Sequence, residues 1–166
     1  MGSEMCIRDR AEAHRLAKRV RALDIELADN RSQLEELLRH SKAAPLLDVI
    51  GVGPVTAAVA YSAWSHRGRL RDEAAFAALA GVSPIPASSG NTTRHRLNRG
   101  GDRRLNRALH MATVTRMAHD PETRAYVDRR RAEGRTTKEI RRCLKRYLAR
   151  RIYRTLEALH AAPTTA

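Results

Sequence analysis

From residue 11 to residue 42 the chain carries neither Gly nor Pro. Leu16, Val20, Leu23, Leu27, Asn30, Leu34 and Leu37 follow one another at alternating spacings of four and three. That spacing is a heptad seam, and it leaves the segment little choice but a single long helix. The polar Asn30 within the seam is the kind of residue that fixes pairing register. We expect residues 11–42 to act as a coiled-coil or helical-hairpin connector, with residues 16–37 joining a homo-oligomer. The alternative is an amphipathic helix packed on its own domain.

The remainder also reads as helical. Aromatic residues are only 4% of the 166, so a core has to be built from Ala, Leu, Val and Ile, and the length suits one domain plus an appendage. Pro45 marks a boundary after the long helix. Beyond it, LLDVIGVGPVTAAVAYSAW predicts two helical segments, one ending near Ile50 and one starting near Pro54, around Gly51-Val52-Gly53. This resembles a helix-hairpin-helix motif, in which glycines let backbone approach a phosphate and a helix N-terminus offers free N–H groups. Gly51, Gly53 and Thr56 are therefore candidate DNA contacts; the competing reading is a tight turn with no DNA contact.

Capping residues punctuate the rest of the chain. Asp72 caps a short helix to Ala80, and Gly81 ends it. Residues 82–100, with Pro84, Pro86, Gly90, Asn91 and Gly100, form an irregular loop with a short hairpin, long enough to suggest function. Asp102 caps a helix to His119, and Asp120-Pro121 starts another that ends at Gly134. Thr136 and Glu139 form a capping box for a last helix to His160. On that helix Ile140, Leu144, Tyr147, Leu148, Ile152 and Leu156 make an apolar stripe. The expected class is all-α: a long N-terminal coiled-coil-like helix, then a compact helical domain with a helix-hairpin-helix motif and one long functional loop. The expected division is 1–10, 11–44, 45–160 and a tail, 161–166.

Charge is concentrated in one segment. Residues 91–154 hold 20 Lys/Arg against 6 Asp/Glu, which equals the whole net charge of +14. A segregated, Arg-rich segment is suited to lying along a polyanion, because guanidinium forks match phosphate oxygens. A solvated basic surface is the bland alternative. The scarcity of aromatics argues against a single-strand stacking platform. Cys6 and Cys143 have neither metal nor disulfide spacing, the seven histidines show no ligand pairing, and no apolar run reaches membrane-spanning length. We expect no metal bound by these residues, no membrane partner, and a cytoplasmic, nucleoid-associated protein.

Within the basic segment, Ser88-Ser89-Gly90 precedes Arg94, Arg96, Arg99, Arg103, Arg104 and Arg107. A turn exposes a hydroxyl, and arginines beside it can hold a phosphate and stabilise charge developing on it. Ser89 is the first candidate nucleophile and Ser88 the second, with those six arginines as DNA contacts. No partner constellation for the serine is evident, and His95 reads as a phosphate or solvent contact. From chemistry alone the turn is better read as an ordinary loop.

Residues 4–10, EMCIRDR, match the translation of a transposon mosaic end of the kind carried by sequencing adapters. Residues 1–10 are therefore set aside as non-native, an expectation that also implies a missing upstream domain.

Three segments in order, VIGVGPVTA, FAALAGVSPIPASSG and RGGDRRLNRALHMA, carry a family resemblance. Over residues 45–160 the chain resembles the C-terminal domain of insertion-sequence transposases of the IS110, IS116 and IS902 group. The resemblance implies a two-part recombinase. An N-terminal RNase-H-like domain carries an acidic tetrad that binds magnesium, and a helical connector leads to a C-terminal domain. The serine of that C-terminal domain, falling here on Ser89, attacks DNA and becomes joined to it. It also implies a guide RNA as a partner. The acidic domain is not among these residues, so the isolated chain is expected to be inactive. Two other readings are a non-catalytic helix-hairpin-helix DNA-binding protein and a basic RNA-binding or chromosomal protein.

Overall fold

The computed structural model describes residues 2–88, 90–92 and 95–161, with side chains from residue 9 onward. It is helical, as expected: α1 (Gly2–Arg39), α2 (Pro54–Trp64), α3 (Glu73–Leu79), α4 (Arg103–His119), α5 (Pro121–Ala132) and α6 (Thr137–Ala161). A two-residue antiparallel ribbon, β1 (Ile85–Pro86) with β2 (His95–Arg96), pairs Ile85 with Arg96 and Pro86 with His95. The chain forms two compact units, Met1–Leu37 and Leu38–Ala166. No described helix is long and apolar enough to cross a membrane.

The first unit is helix alone. Leu16, Val20, Leu23, Leu27 and Leu37 of the heptad seam are all exposed. The Asn30 side-chain amide donates to the Glu26 carbonyl on its own helix, at 3.1 Å.

The second unit is organised around α6, which packs against α2, α3, α4, α5 and a single 3-10 turn, Ala44–Leu46. Its buried face is Ile140, Leu148, Ala149, Ile152, Tyr153 and Leu156. Tyr147, expected in this stripe, is instead 54% exposed and sits edge-on to Tyr126 with ring centres 6.2 Å apart. Tyr153 takes an inward place because its hydroxyl finds a partner there, donating to the Leu70 carbonyl at 2.9 Å. Trp64, fully buried, likewise donates its indole N–H to Glu157 at 2.9 Å. Where α2 meets α4, Ala57, Ala60, Ala108 and Ala112 are all buried, and small side chains allow close helix approach.

The helix expected to end near Ile50 is not an α-helix. The N–H groups of Leu46, Leu47, Val49 and Val52 each donate to the carbonyl three residues back, at 2.8–3.2 Å. Such bonds bring residues three apart onto one edge, and Leu46, Val49 and Val52 are all buried. Side-chain spacing and backbone bonding thus agree on a run of tight turns, and the first limb of the expected hairpin is that run.

The capping residues act as expected. Asp72 accepts from the Ala75 N–H at 2.7 Å, and Asp102 accepts from Arg104 and Leu105 at 2.8 and 3.0 Å. Thr136 and Glu139 exchange bonds across the first turn of α6, with the Thr136 N–H donating to Glu139 at 2.9 Å and the Glu139 N–H donating to Thr136 Oγ1 at 3.3 Å.

The long loop between α3 and α4 is closed where its ends cross. A Cβ on Gly101 would land on the backbone N and Cα of Gly81 and within 2.9 Å of the Ala80 carbonyl carbon. The crossing is secured by the Asp102 N–H donating to the Leu79 carbonyl at 2.7 Å, and by the Asn106 amide donating to the Ala80 carbonyl at 2.7 Å. Gly101→Ala should destabilise the second unit by more than about 2 kcal/mol, because neither neighbour is a flexible side-chain end that can yield. Gly100→Ala, whose Cβ meets nothing closer than 3.6 Å, should cost much less. Paired thermal or urea unfolding of the two variants measures the difference.

Candidate nucleic-acid interface

The crossing at Gly81 and Gly101 brings the loop over α4, α5 and α6, where two cavities open. The larger, about 640 Å³, is lined from the loop by Ser83, Pro84, His95, Arg96 and Arg99, and from α6 by Arg142, Lys145 and Arg146. Across its whole lining there are seven Arg or Lys and a single acid, Glu139. That acid is occupied: the Thr136 N–H and hydroxyl both donate to it at 2.9 Å, and Arg135 lies at 3.8 Å. These contacts hold its carboxyl below the ordinary range, the Thr136 hydrogen bonds contributing most. The second cavity, about 540 Å³, shares Gly81, Asn98, Arg99 and Asn106 with the first and adds Arg103, Arg107 and His110.

Of the candidate DNA contacts, Arg96, Arg99, Arg103 and Arg107 line one or both cavities. Arg104 is exposed on the first turn of α4 and lines neither. Ser88 is exposed, between β1 and β2 in the chain. Ser89 and Arg94 lie outside the described residues.

The glycine turn stands apart from this basic surface. Gly51 has φ +84°, and a Cβ there would lie 2.6 Å from the Ala112 carbonyl oxygen and 2.8 Å from Arg116 Cγ. Its lack of a side chain lets the turn pack closely against α4. Arg116 reinforces the contact, donating to the Ile50 carbonyl at 3.2 Å and to buried Asp120 at 2.5 Å. Thr56 is buried in α2, so it presents little hydroxyl surface to a phosphate. Gly53 is the open member of the turn: it caps α2 in an extended conformation, and nothing lies within 4 Å of the Cβ it lacks.

The α6 face of the cleft was not anticipated from the sequence. Arg142, Lys145 and Arg146 stand at i, i+3 and i+4, one face of a helix, and that spacing was the available signal. What the spacing does not reveal is Asn106, whose side-chain oxygen accepts from the Lys145 ammonium at 2.7 Å across 39 residues of sequence.

His110 reports on this environment. Burial, then the nearby charges of Lys145 and Arg141, hold its pKa below the ordinary value of 6.5. The unfolded chain therefore takes up a proton at a pH where the folded chain resists it. Stability is full above the ordinary histidine range and is lost as pH falls through it. His110→Asn should flatten this loss between about pH 7 and 5, as measured by denaturant midpoints across that range.

Comparison with known proteins adds the family. Residues 43–128 match the Transposase IS116/IS110/IS902 family. The chain is 37% identical over 128 residues to the insertion element IS900 uncharacterized 42 kDa protein of Mycobacterium paratuberculosis, covering 72% of this chain and 31% of that protein. It is 36% identical over 107 residues to the IS110 uncharacterized 43.6 kDa protein of Streptomyces coelicolor, covering 63% and 26%. The IS116 uncharacterized 44.8 kDa protein of Streptomyces clavuligerus is 31% identical over 122 residues, covering 72% and 30%. The chain thus spans about a third or less of the length of these curated relatives. With its family segment running from residue 43 to residue 128, through the glycine turn, the long loop and α4, the chain belongs to the IS116/IS110/IS902 family of transposases.

Proposed function

We propose that this chain is the DNA-handling C-terminal part of an insertion-sequence transposase, acting in DNA transposition and site-specific recombination. The observation that carries the reading is the family match over residues 43–128, which includes both serines and all six candidate arginines. The basic cleft beside the loop supports it. In this reading the Ser89 oxygen bonds to a DNA phosphorus, the bridging P–O bond breaks, and the serine proton passes to the departing sugar oxygen. Ser88 is the second choice. The working place is the cytoplasm, on nucleoid DNA, and a guide RNA is a further partner.

A serine hydroxyl needs a base, a lowered pKa or a metal-polarised phosphate to attack. Among the described residues no three His, Cys, Asp or Glu groups gather as metal ligands. In this proposal magnesium would be held by an acidic domain outside these residues, as the family resemblance implies. With that domain restored and a cleavable DNA supplied, Ser89→Ala should abolish the covalent protein–DNA adduct and leave DNA binding nearly intact, since one oxygen is removed and few contacts with it. Ser88→Ala should be milder. Full adduct formation by Ser89→Ala would transfer the role to Ser88 or away from this loop. DNA binding without an adduct in any variant, the unsubstituted protein included, would favour a non-catalytic binding protein.

Residues 16–37, in this proposal, join a second copy of the chain. The support is a heptad seam left on the surface, with exposure from 38% at Leu23 to 65% at Leu27 near its centre. Leu23→Lys together with Leu27→Lys should lower the assembly state in sedimentation while the second unit stays folded by circular dichroism. An unchanged assembly would count against the seam.

A further inference from the structure

Some cations on α5 and α6 are paired with carboxylates: Arg130 with Glu133, Arg131 with Asp128, and Arg150 and Arg154 both with Glu73. Arg142, Lys145 and Arg146 in the large cleft are not, and neither are Arg96 and Arg99 on its loop side: among the described residues none of the five has a carboxylate at ion-pair distance. Arg146 goes further, since its Nε–H is buried with no hydrogen-bond partner.

Lys145 is held in place rather than merely present. It is half-buried and donates to the Asn106 side-chain oxygen at 2.7 Å, while the Asn106 amide is fixed on the Ala80 carbonyl at 2.7 Å. An amide oxygen is neutral and leaves the ammonium its other two N–H donors, while burial, then the nearby charges of Arg141 and Arg142, hold its pKa below the ordinary lysine value. Asn106 thus ties a cation to the crossing at the base of the loop. A cavity of about 640 Å³ is within the range that encloses a nucleotide-sized group.

We propose that Arg142, Lys145 and Arg146, with Asn106 positioning Lys145, form a seat for a backbone phosphate of the bound DNA, with Arg96 and Arg99 on the loop side. The inference rests on the DNA-binding reading above and adds a site to it, on a helix 35 residues or more beyond the arginines picked out from the sequence. The chemistry required is that of a phosphodiester: an anion with several acceptor oxygens, matched by two guanidinium forks and one ammonium. Asn106 is a positioning residue and touches no phosphate itself.

The test measures binding of a labelled DNA duplex to the full 166-residue chain by fluorescence anisotropy across a salt series, with circular dichroism confirming the fold of each variant. Lys145→Gln with Arg146→Gln should weaken binding at least about tenfold near 0.1 M salt and reduce the log–log salt slope by about one to two. Arg124→Gln removes one exposed charge from α5 outside both cavities and should change affinity less than about threefold, with a slope lowered by less than about one. Asn106→Ala should lower affinity and slope with no change in net charge. If the double variant does not fold, Lys145→Gln against the charge-keeping Lys145→Arg decides: loss in the first and retention in the second supports the seat. A cleft variant no weaker than Arg124→Gln overturns the seat alone. An unsubstituted chain with no salt-dependent DNA binding overturns the DNA reading and the seat with it. Weakening confined to an RNA of the same sequence overturns DNA as the occupant.

Discussion

Two glycine backbones crossing at Gly81 and Gly101 set the geometry on which the second compact unit depends. A β-carbon on Gly101 would fall on the Gly81 backbone, and one on Gly81 would press against Gly101 at 3.3 Å, so the end of α3 and the start of α4 are locked in contact. Everything attached to those ends inherits the constraint. Asp102 caps α4 while its own N–H reaches back to Leu79, and Asn106, one turn later, holds Ala80 and Lys145 together. The loop can therefore be long while its two ends are held together.

Charge and burial are divided with similar economy. Helix α6 gives its Ile140, Leu148, Ile152 and Leu156 face to the core and carries many of the cations on the rest of its surface. Because the core is poor in aromatics, its few large side chains are tied down by hydrogen bonds: Trp64 to Glu157 and Tyr153 to Leu70. These bonds orient α6 against the segments carrying Trp64 and Leu70. Its basic face then meets the loop rather than open solvent alone. The Arg116–Asp120 pair, with Thr123 also donating to Asp120 at 2.5 Å, does the corresponding work at the junction of α4 and α5. It also binds the glycine turn to α4 through the Ile50 carbonyl.

Helix boundaries were legible because caps are local. Asp72, Asp102, Thr136 and Glu139 bond to groups two or three residues away, so the sequence contains both partners in one glance. The family, too, was legible, because three motifs kept their order along the chain. Tyr147 was misplaced for the opposite reason. Helical spacing tells which residues share a face but not how far around the helix the covering neighbour extends. The segment before Gly51 was legible as helical but not as a run of three-residue turns, because Leu46, Val49 and Val52 at a spacing of three suit an α-helix face nearly as well.

By itself, then, the sequence determined the helical class, the capped ends, the heptad seam and the concentration of charge after residue 90, since each depends on neighbours within a turn or two or on composition. Only the tertiary structure decided what the glycines and the polar residues inside the motifs are for. Gly101 in RGGDRRLN meets Gly81 across 20 residues, and Asn106 meets Lys145 across 39. A contact of that span is fixed by how helices stack and where a loop crosses itself. No local periodicity encodes it, so the cleft formed by Arg142, Lys145 and Arg146 came into view only when the chain was folded.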